Sequence, residues 1–324
     1  MKKLFLSAIF FVSALSAVRA QQDPAYSMYM FNGLFLNPAY AGSQEAISLM
    51  GIYRHQWAGL EGAPRTMNVS VHTPFRRDQY AVGLTLTNDK IGLANTFSVT
   101  PAFSYRLKIK QSRLCFGVQA SFAYYYQNNN KAILPLANVN DPAFALNQNL
   151  FVPNIGFGIY AYGKRYFVGF SVPHLLPAKL RDKTGVSAYD QSIARTYNNY
   201  LFTAGYVFGK EASIVKFRPS ILMKWQKGLP KNIPQFDINL ALLFIERVWL
   251  GVGYRTGGDN AYYGQSANVF VTFKATPQLQ IGYCYDAEIS SLRHYTGGTH
   301  EIMVGYDFYY NKKRFVTPRF VKYF

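Results

Sequence analysis

Residues 79–87, Gln-Tyr-Ala-Val-Gly-Leu-Thr-Leu-Thr, decide the fold. Successive side chains of an extended chain point to opposite faces, so Tyr80, Val82, Leu84 and Leu86 share one face and Gln79, Ala81, Gly83, Thr85 and Thr87 the other. The second face is small and uncharged. That suits a strand with lipid on one side and a hydrated lumen on the other. The alternation recurs down the chain. Phe97, Val99, Phe103, Tyr105 and Leu107 oppose Thr96, Ser98, Thr100, Ala102, Ser104 and Arg106, and Leu279, Ile281, Tyr283 and Tyr285 oppose Gln278, Gln280, Gly282 and Asp286. The apolar face repeatedly begins or ends in an aromatic ring, as interfacial belts require.

Continued outward, this reading predicts fourteen strands within residues 45–310, the first at 45–56 and the last at 299–310. The connections alternate in length. Arg76-Arg77, Gly163-Lys164, Glu246 and Ala275-Thr276 are tight, whereas residues 128–151, 174–197 and 287–298 make long links. Short periplasmic turns and longer outer loops produce this alternation, which a soluble sandwich has no reason to show. The fold class is therefore all-β: a transmembrane antiparallel β-barrel of about fourteen strands. A soluble lectin-like β protein ranks behind it.

Composition agrees. Of 324 residues only 15% are charged, 49% are hydrophobic, and there are 26 Tyr and 26 Phe. The net charge of +18 would fit nucleic acid, but residues 1–20 have a secretory signal's basic start (Lys2, Lys3), apolar run and Val18-Arg19-Ala20 cleavage site. The expected location is the outer membrane of a Gram-negative bacterium, with cleavage after Ala20 and no nucleic-acid partner. The longest aliphatic block, Leu240–Ile245, is far short of the roughly 20 residues of a membrane helix.

Catalytic patterns do not stand out. The histidines (His55, His72, His174, His294, His300) are scattered, and there is no nucleophile elbow, phosphate loop or Cys-x-x-Cys. No cofactor, metal or enzymatic activity is expected. Cys115 and Cys284 point to the lumen from distant strands and are expected to be unpaired.

With the N-terminus placed in the periplasm, the short turns and the tail carry Arg76, Arg77, Lys164, Arg165, Lys312, Lys313 and Arg314 at one rim. That rim is a candidate docking surface for an acidic partner or for anionic lipid of the outer membrane.

Residues 21–44 do not alternate. Pro24, Gly33, Pro38 and Gly42 punctuate an aromatic, Met-rich run too apolar to stay free. The segment is a possible plug, set against lumen-facing Ala81, Gly83, Gly117 and Gly156, with Asn37, Pro38, Ala39 and Tyr40 as its anchoring turn. Residues 311–324 form a basic, aromatic periplasmic tail.

The stretch DPAYSMYMFNGLFLNPAYAG (23–42) resembles the start of the PorP/SprF family, outer-membrane proteins of the type IX secretion system. YRHQWAGLEGAPRTMNVSVHTP (53–74), NDKIG (88–92), and LQIGYCYDAEISSL with GGTHEIMVGY (279–306) resemble it too, and bring Trp57, Leu60 and Arg65 into the plug and interaction set. The resemblance implies a non-enzymatic barrel that docks secretion components, or that receives and anchors secreted surface proteins through their C-terminal domains. The alternative is a transporter, either a porin or a FadL-like channel for hydrophobic solutes. Met303-x-Gly305-x-x-Phe308-x-Tyr310 also resembles the signal read by the barrel-assembly machinery, although Asn311–Phe324 follow it.

Overall fold

The computed structural model describes residues 24–75, 78–128, 148–176, 198–210, 213–226, 233–258 and 265–309. Fourteen strands close into one barrel: β1 (Ile47–His55), β2 (Arg65–Phe75), β3 (Tyr80–Ile91), β4 (Ala94–Ile109), β5 (Ser112–Gln127), β6 (Gln148–Tyr162), β7 (Tyr166–Val172), β8 (Asn199–Tyr206), β9 (Val215–Gln226), β10 (Gln235–Phe244), β11 (Val248–Arg255), β12 (Ser266–Lys274), β13 (Leu279–Glu288) and β14 (Thr299–Phe308). Each strand pairs antiparallel with its chain neighbours. The seam joins β1 to β14, from Ile47 opposite Phe308 to His55 opposite His300. Closure leaves no edge strand unpaired, which a membrane's interior demands.

The fold inverts the usual arrangement of a soluble protein. Large apolar side chains point outward and stay exposed, among them Val82, Leu84, Phe116, Val118, Leu240, Leu250, Val252, Val271 and Ile302. Inward neighbours on the same strands are buried and often polar: Ser70, Thr85, Ser104, Asn154, Ser171, Asn239, Asn268 and Thr272. Aromatic clusters mark the end with the short turns. Tyr80 lies 5.8 Å from Phe75 and 5.4 Å from Tyr105, Phe208 lies 4.7 Å from Tyr206, and Tyr306 lies 4.5 Å from Phe308. These girdles fit the rings to the headgroup level.

At that end residues 245–247 join β10 to β11 in a tight turn. Ile245 and Glu246 both take positive φ, 48° and 56°, and Arg247 N–H donates to the Phe244 carbonyl at 2.9 Å. This is type I′ geometry, whose twist suits a hairpin, built here without the usual Asn-Gly. At the other end, most connections are long and only Gly92-Leu93 is tight. Cys115 on β5 and Cys284 on β13 are both buried and free.

Candidate functional site: a segment held inside the barrel

Residues 24–46 lie inside the barrel rather than beneath it. The segment is a chain of single turns: a 3-10 turn at Tyr29–Phe31, one helical turn at Gly33–Leu36, and a second 3-10 turn at Pro38–Tyr40. Asn37 caps the last turn, its Oδ1 accepting from Ala39 N–H at 2.9 Å, with Pro38 at the first position where a missing N–H costs nothing. Tyr26, Met28, Tyr29, Leu34, Ala39 and Tyr40 are buried. Wall glycines make the room. A Cβ added at Gly117 would come within 2.2 Å of Ala39 N, and one at Gly83 within 3.0 Å of Leu34. Gly158 lies against Asn37 and Pro38, and Gly282 against Met28. Gly156 instead faces the backbone of Pro173, where the chain turns inward after β7. Gly117→Leu is expected to displace the Pro38–Tyr40 turn, so that limited proteolysis cuts after Tyr40 in the variant and not in the native barrel.

The wall contacts follow the segment from one mouth to the other. Ser27 and Met28 sit among Arg54, Asp286 and Glu301, near the strand ends that carry the long loops. Asn32 is midway down, donating to Asn68 at 2.9 Å and accepting from Ser70 at 3.0 Å. Asn37 donates to the carbonyls of Ile159 and Phe170, and Ser171 to that of Leu36. Gly42 N–H reaches His72 Nδ1 at 3.1 Å, and Glu45 pairs with Arg113 at 2.9 Å beside Asp78 at the short-turn rim. The segment thus begins at the mouth with the long loops and ends where β1 starts. This reverses the periplasmic start that the sequence alone suggests, because the chain crosses the lumen once before its first strand. An epitope inserted ahead of Pro24 is expected to be labelled on intact cells; labelling only after the outer membrane is opened would contradict the path.

Two clusters of charge grip this path. At the long-loop mouth, Glu301 accepts from Ser27 N–H (3.0 Å) and Met28 N–H (2.9 Å) and pairs with Arg54 at 2.9 Å. Arg54 also pairs with Asp286 at 2.7 Å, Asp286 accepts from Ser27 Oγ at 2.7 Å, and Arg255 pairs with Asp237 at 2.9 Å while donating to Ser27 Oγ. Midway, the guanidinium of Arg218 lies 4.1 Å from the Trp249 ring and 5.0 Å from that of Phe31, a cation–π sandwich between wall and segment. At the short-turn rim, burial raises the carboxyl of Glu45, against the pull of Arg113 and Arg106.

Of the residues expected from sequence, Asn37, Pro38, Ala39 and Tyr40 sit together in the lumen. Trp57, Leu60 and Arg65 do not join them. Trp57 lies in the β1–β2 loop, donating from Nε1 to Glu288 at 3.0 Å; Leu60 is in the same loop, and Arg65 opens β2 on the outer face. Lys164 and Arg165 are exposed in the β6–β7 turn, whereas Arg76, Arg77, Lys312, Lys313 and Arg314 fall outside the described residues. Sequence reasoning missed Arg54, Arg218, Asp237, Arg255, Asp286 and Glu301 as the segment's partners. Their signal was available: each is a charge at an inward strand position. Among the described residues no group of three His, Cys, Asp or Glu is placed to hold a metal ion.

A family model described as type IX secretion system membrane protein PorP/SprF matches residues 18–306. No curated protein matches the chain. Among solved structures, the outer membrane protein Omp33 of Acinetobacter baumannii is similar at 9% identity and a TM-score of 0.45, covering 82% of this chain and 100% of that one. A FadL homologue of Pseudomonas aeruginosa is similar at 12% identity and a TM-score of 0.47, covering 91% and 97%.

Proposed function

Because the chain belongs to the PorP/SprF family of type IX secretion system membrane proteins, we propose that it acts there as a docking barrel rather than a conduit. It binds secretion components, or receives and anchors secreted proteins, at its rims and loops. The observation that supports this most is the occupied lumen: a segment of its own chain, hydrogen-bonded to the wall from Ser27 to Gly42, stands where solute would pass. Neighbouring cations at the short-turn rim, Lys164 and Arg165 among them, favour an acidic periplasmic surface as one partner.

The test is extraction from the native membrane in mild detergent, comparing the native chain with Lys164→Glu/Arg165→Glu. The native barrel should carry a secretion component or a secreted protein's C-terminal domain in fixed ratio, and the charge-reversed barrel should lose the periplasmic one. A barrel that purifies alone and passes solutes when reconstituted would overturn the reading in favour of a transporter.

A further inference from the structure

A second polar feature lies outside the lumen, on the lipid-facing wall near the long-loop mouth. Register places His300 opposite His55, His55 opposite Arg65, and Arg65 opposite Lys90, on four adjacent strands, β14, β1, β2 and β3. Directly paired residues of antiparallel strands share a face, about 4.7–4.9 Å apart from strand to strand. All four are on the outward face: Arg65 and Lys90 are exposed, and His55 and His300 partly so.

Arg65 and Lys90 are like charges placed directly opposite one another, which destabilises a sheet unless an anion sits between them. Among the described residues no carboxylate forms an ion pair with Arg65 or Lys90. Asp89 is turned inward, accepting from Thr66 Oγ1 at 2.6 Å, and Glu61 in the β1–β2 loop forms no ion pair among the described residues. Two positions nearer the barrel's middle, β14, β1 and β2 present Ile302, Tyr53 and Met67 to lipid, 44–55% exposed, beside Asn88 on β3. Beside the row, Tyr283 Oη is bonded to His300 Nδ1 at 2.7 Å, and the ring of Tyr285 lies 5.4 Å from that of His300. The row therefore begins where an apolar, aromatic wall gives way to polar headgroups.

We propose that His300, His55, Arg65 and Lys90 form a binding site for a phosphorylated lipid headgroup of the outer leaflet. The headgroup's phosphates lie against the Arg65 and Lys90 cations, with the two imidazoles beside them as hydrogen-bond partners, and its acyl chains lie along Ile302, Tyr53 and Met67. The slant of the row follows the tilt of the strands, so it meets a headgroup over some depth rather than at one level. Asp237, Asp286 and Glu301 face inward, toward the N-terminal segment. The lipid supplies the anion on the outer face.

The test uses the detergent-solubilised full chain, titrated with bisphosphorylated lipid A and followed by native mass spectrometry. Each cation near an anionic membrane surface contributes about a fivefold factor, so Arg65→Gln/Lys90→Gln should weaken lipid A about thirtyfold. Retained heat-modifiable migration will show that the variant is folded. Lipid A stripped of its phosphates should bind the native chain at least about tenfold more weakly than the phosphorylated form. Equal affinity of native and variant barrels, or of the two lipids, would overturn the site. Complete displacement of lipid A by inorganic phosphate would also overturn it, since the acyl chains would then contribute nothing.

Discussion

Deleting residues 24–40 is expected to turn a silent barrel into one that conducts ions in planar bilayers. A closed sheet of fourteen strands encloses more space than its wall side chains fill, since diameter grows with strand number. Here the balance is met by the segment. Tyr26, Met28, Tyr29, Leu34 and Tyr40 are buried inside the barrel, and the wall is pared to glycine where the segment comes closest: Gly83 against Leu34, Gly282 against Met28, and Gly117 and Gly158 against the Asn37–Ala39 turn. A wall glycine that contacts a plug leaves a hole once the plug is gone. The deleted barrel would expose Asn68, Ser70, Ser104 and Ser171, whose present partners are Asn32, Ala39 and Leu36. That lining is polar enough to hold water. Discrete current steps in the deletion variant, absent from the intact chain, are the expected result. An intact chain that already conducts, unchanged by the deletion, would mean that the segment does not seal the lumen.

The strands were legible because lipid imposes a one-residue rule: every outward position between the belts must be apolar, so period two survives along each strand. Their count survived for the same reason. The turns were less legible. Ile245-Glu246 takes left-handed conformations that neither residue type favours, so only the length of the gap betrayed it. The segment's burial was readable from its composition, but its direction was not. Composition says that Tyr26 and Met28 must be covered, not which mouth they face. The direction is set by Arg54, Asp286 and Glu301, which are far apart in sequence and become neighbours only through the register of β13, β14 and β1. Arg65 was singled out by its place in a family stretch. Its relation to His55 and Lys90 also needed register, because each residue alone is an ordinary rim charge.

The same cluster yields an ordering that depends on charge balance rather than on contact number. Asp237, Asp286 and Glu301 face two cations, Arg54 and Arg255, in a setting where all five side chains are nearly inaccessible. Arg54→Met would leave three carboxylates to one guanidinium. Removing one partner of a buried pair costs about 3–5 kcal/mol, because the charge left behind has neither water nor a counter-ion. Glu301→Gln acts differently. It leaves two carboxylates and two cations, and its loss is confined to hydrogen bonds: Gln has one acceptor oxygen where Ser27 N–H, Met28 N–H and Arg54 now share two. One buried N–H left without an acceptor costs about 1–3 kcal/mol. Arg54→Met should therefore lower the urea midpoint of the micellar barrel more than Glu301→Gln does, although Glu301 makes more direct bonds to the segment. The combined variant Arg54→Met/Glu301→Gln should lose less than the two single losses added, since the second change removes one of the carboxylates stranded by the first. If Glu301→Gln proved the more damaging, or the two losses simply added, the cluster would be holding Ser27 and Met28 by local hydrogen bonds alone, and charge balance would have no part in seating the segment.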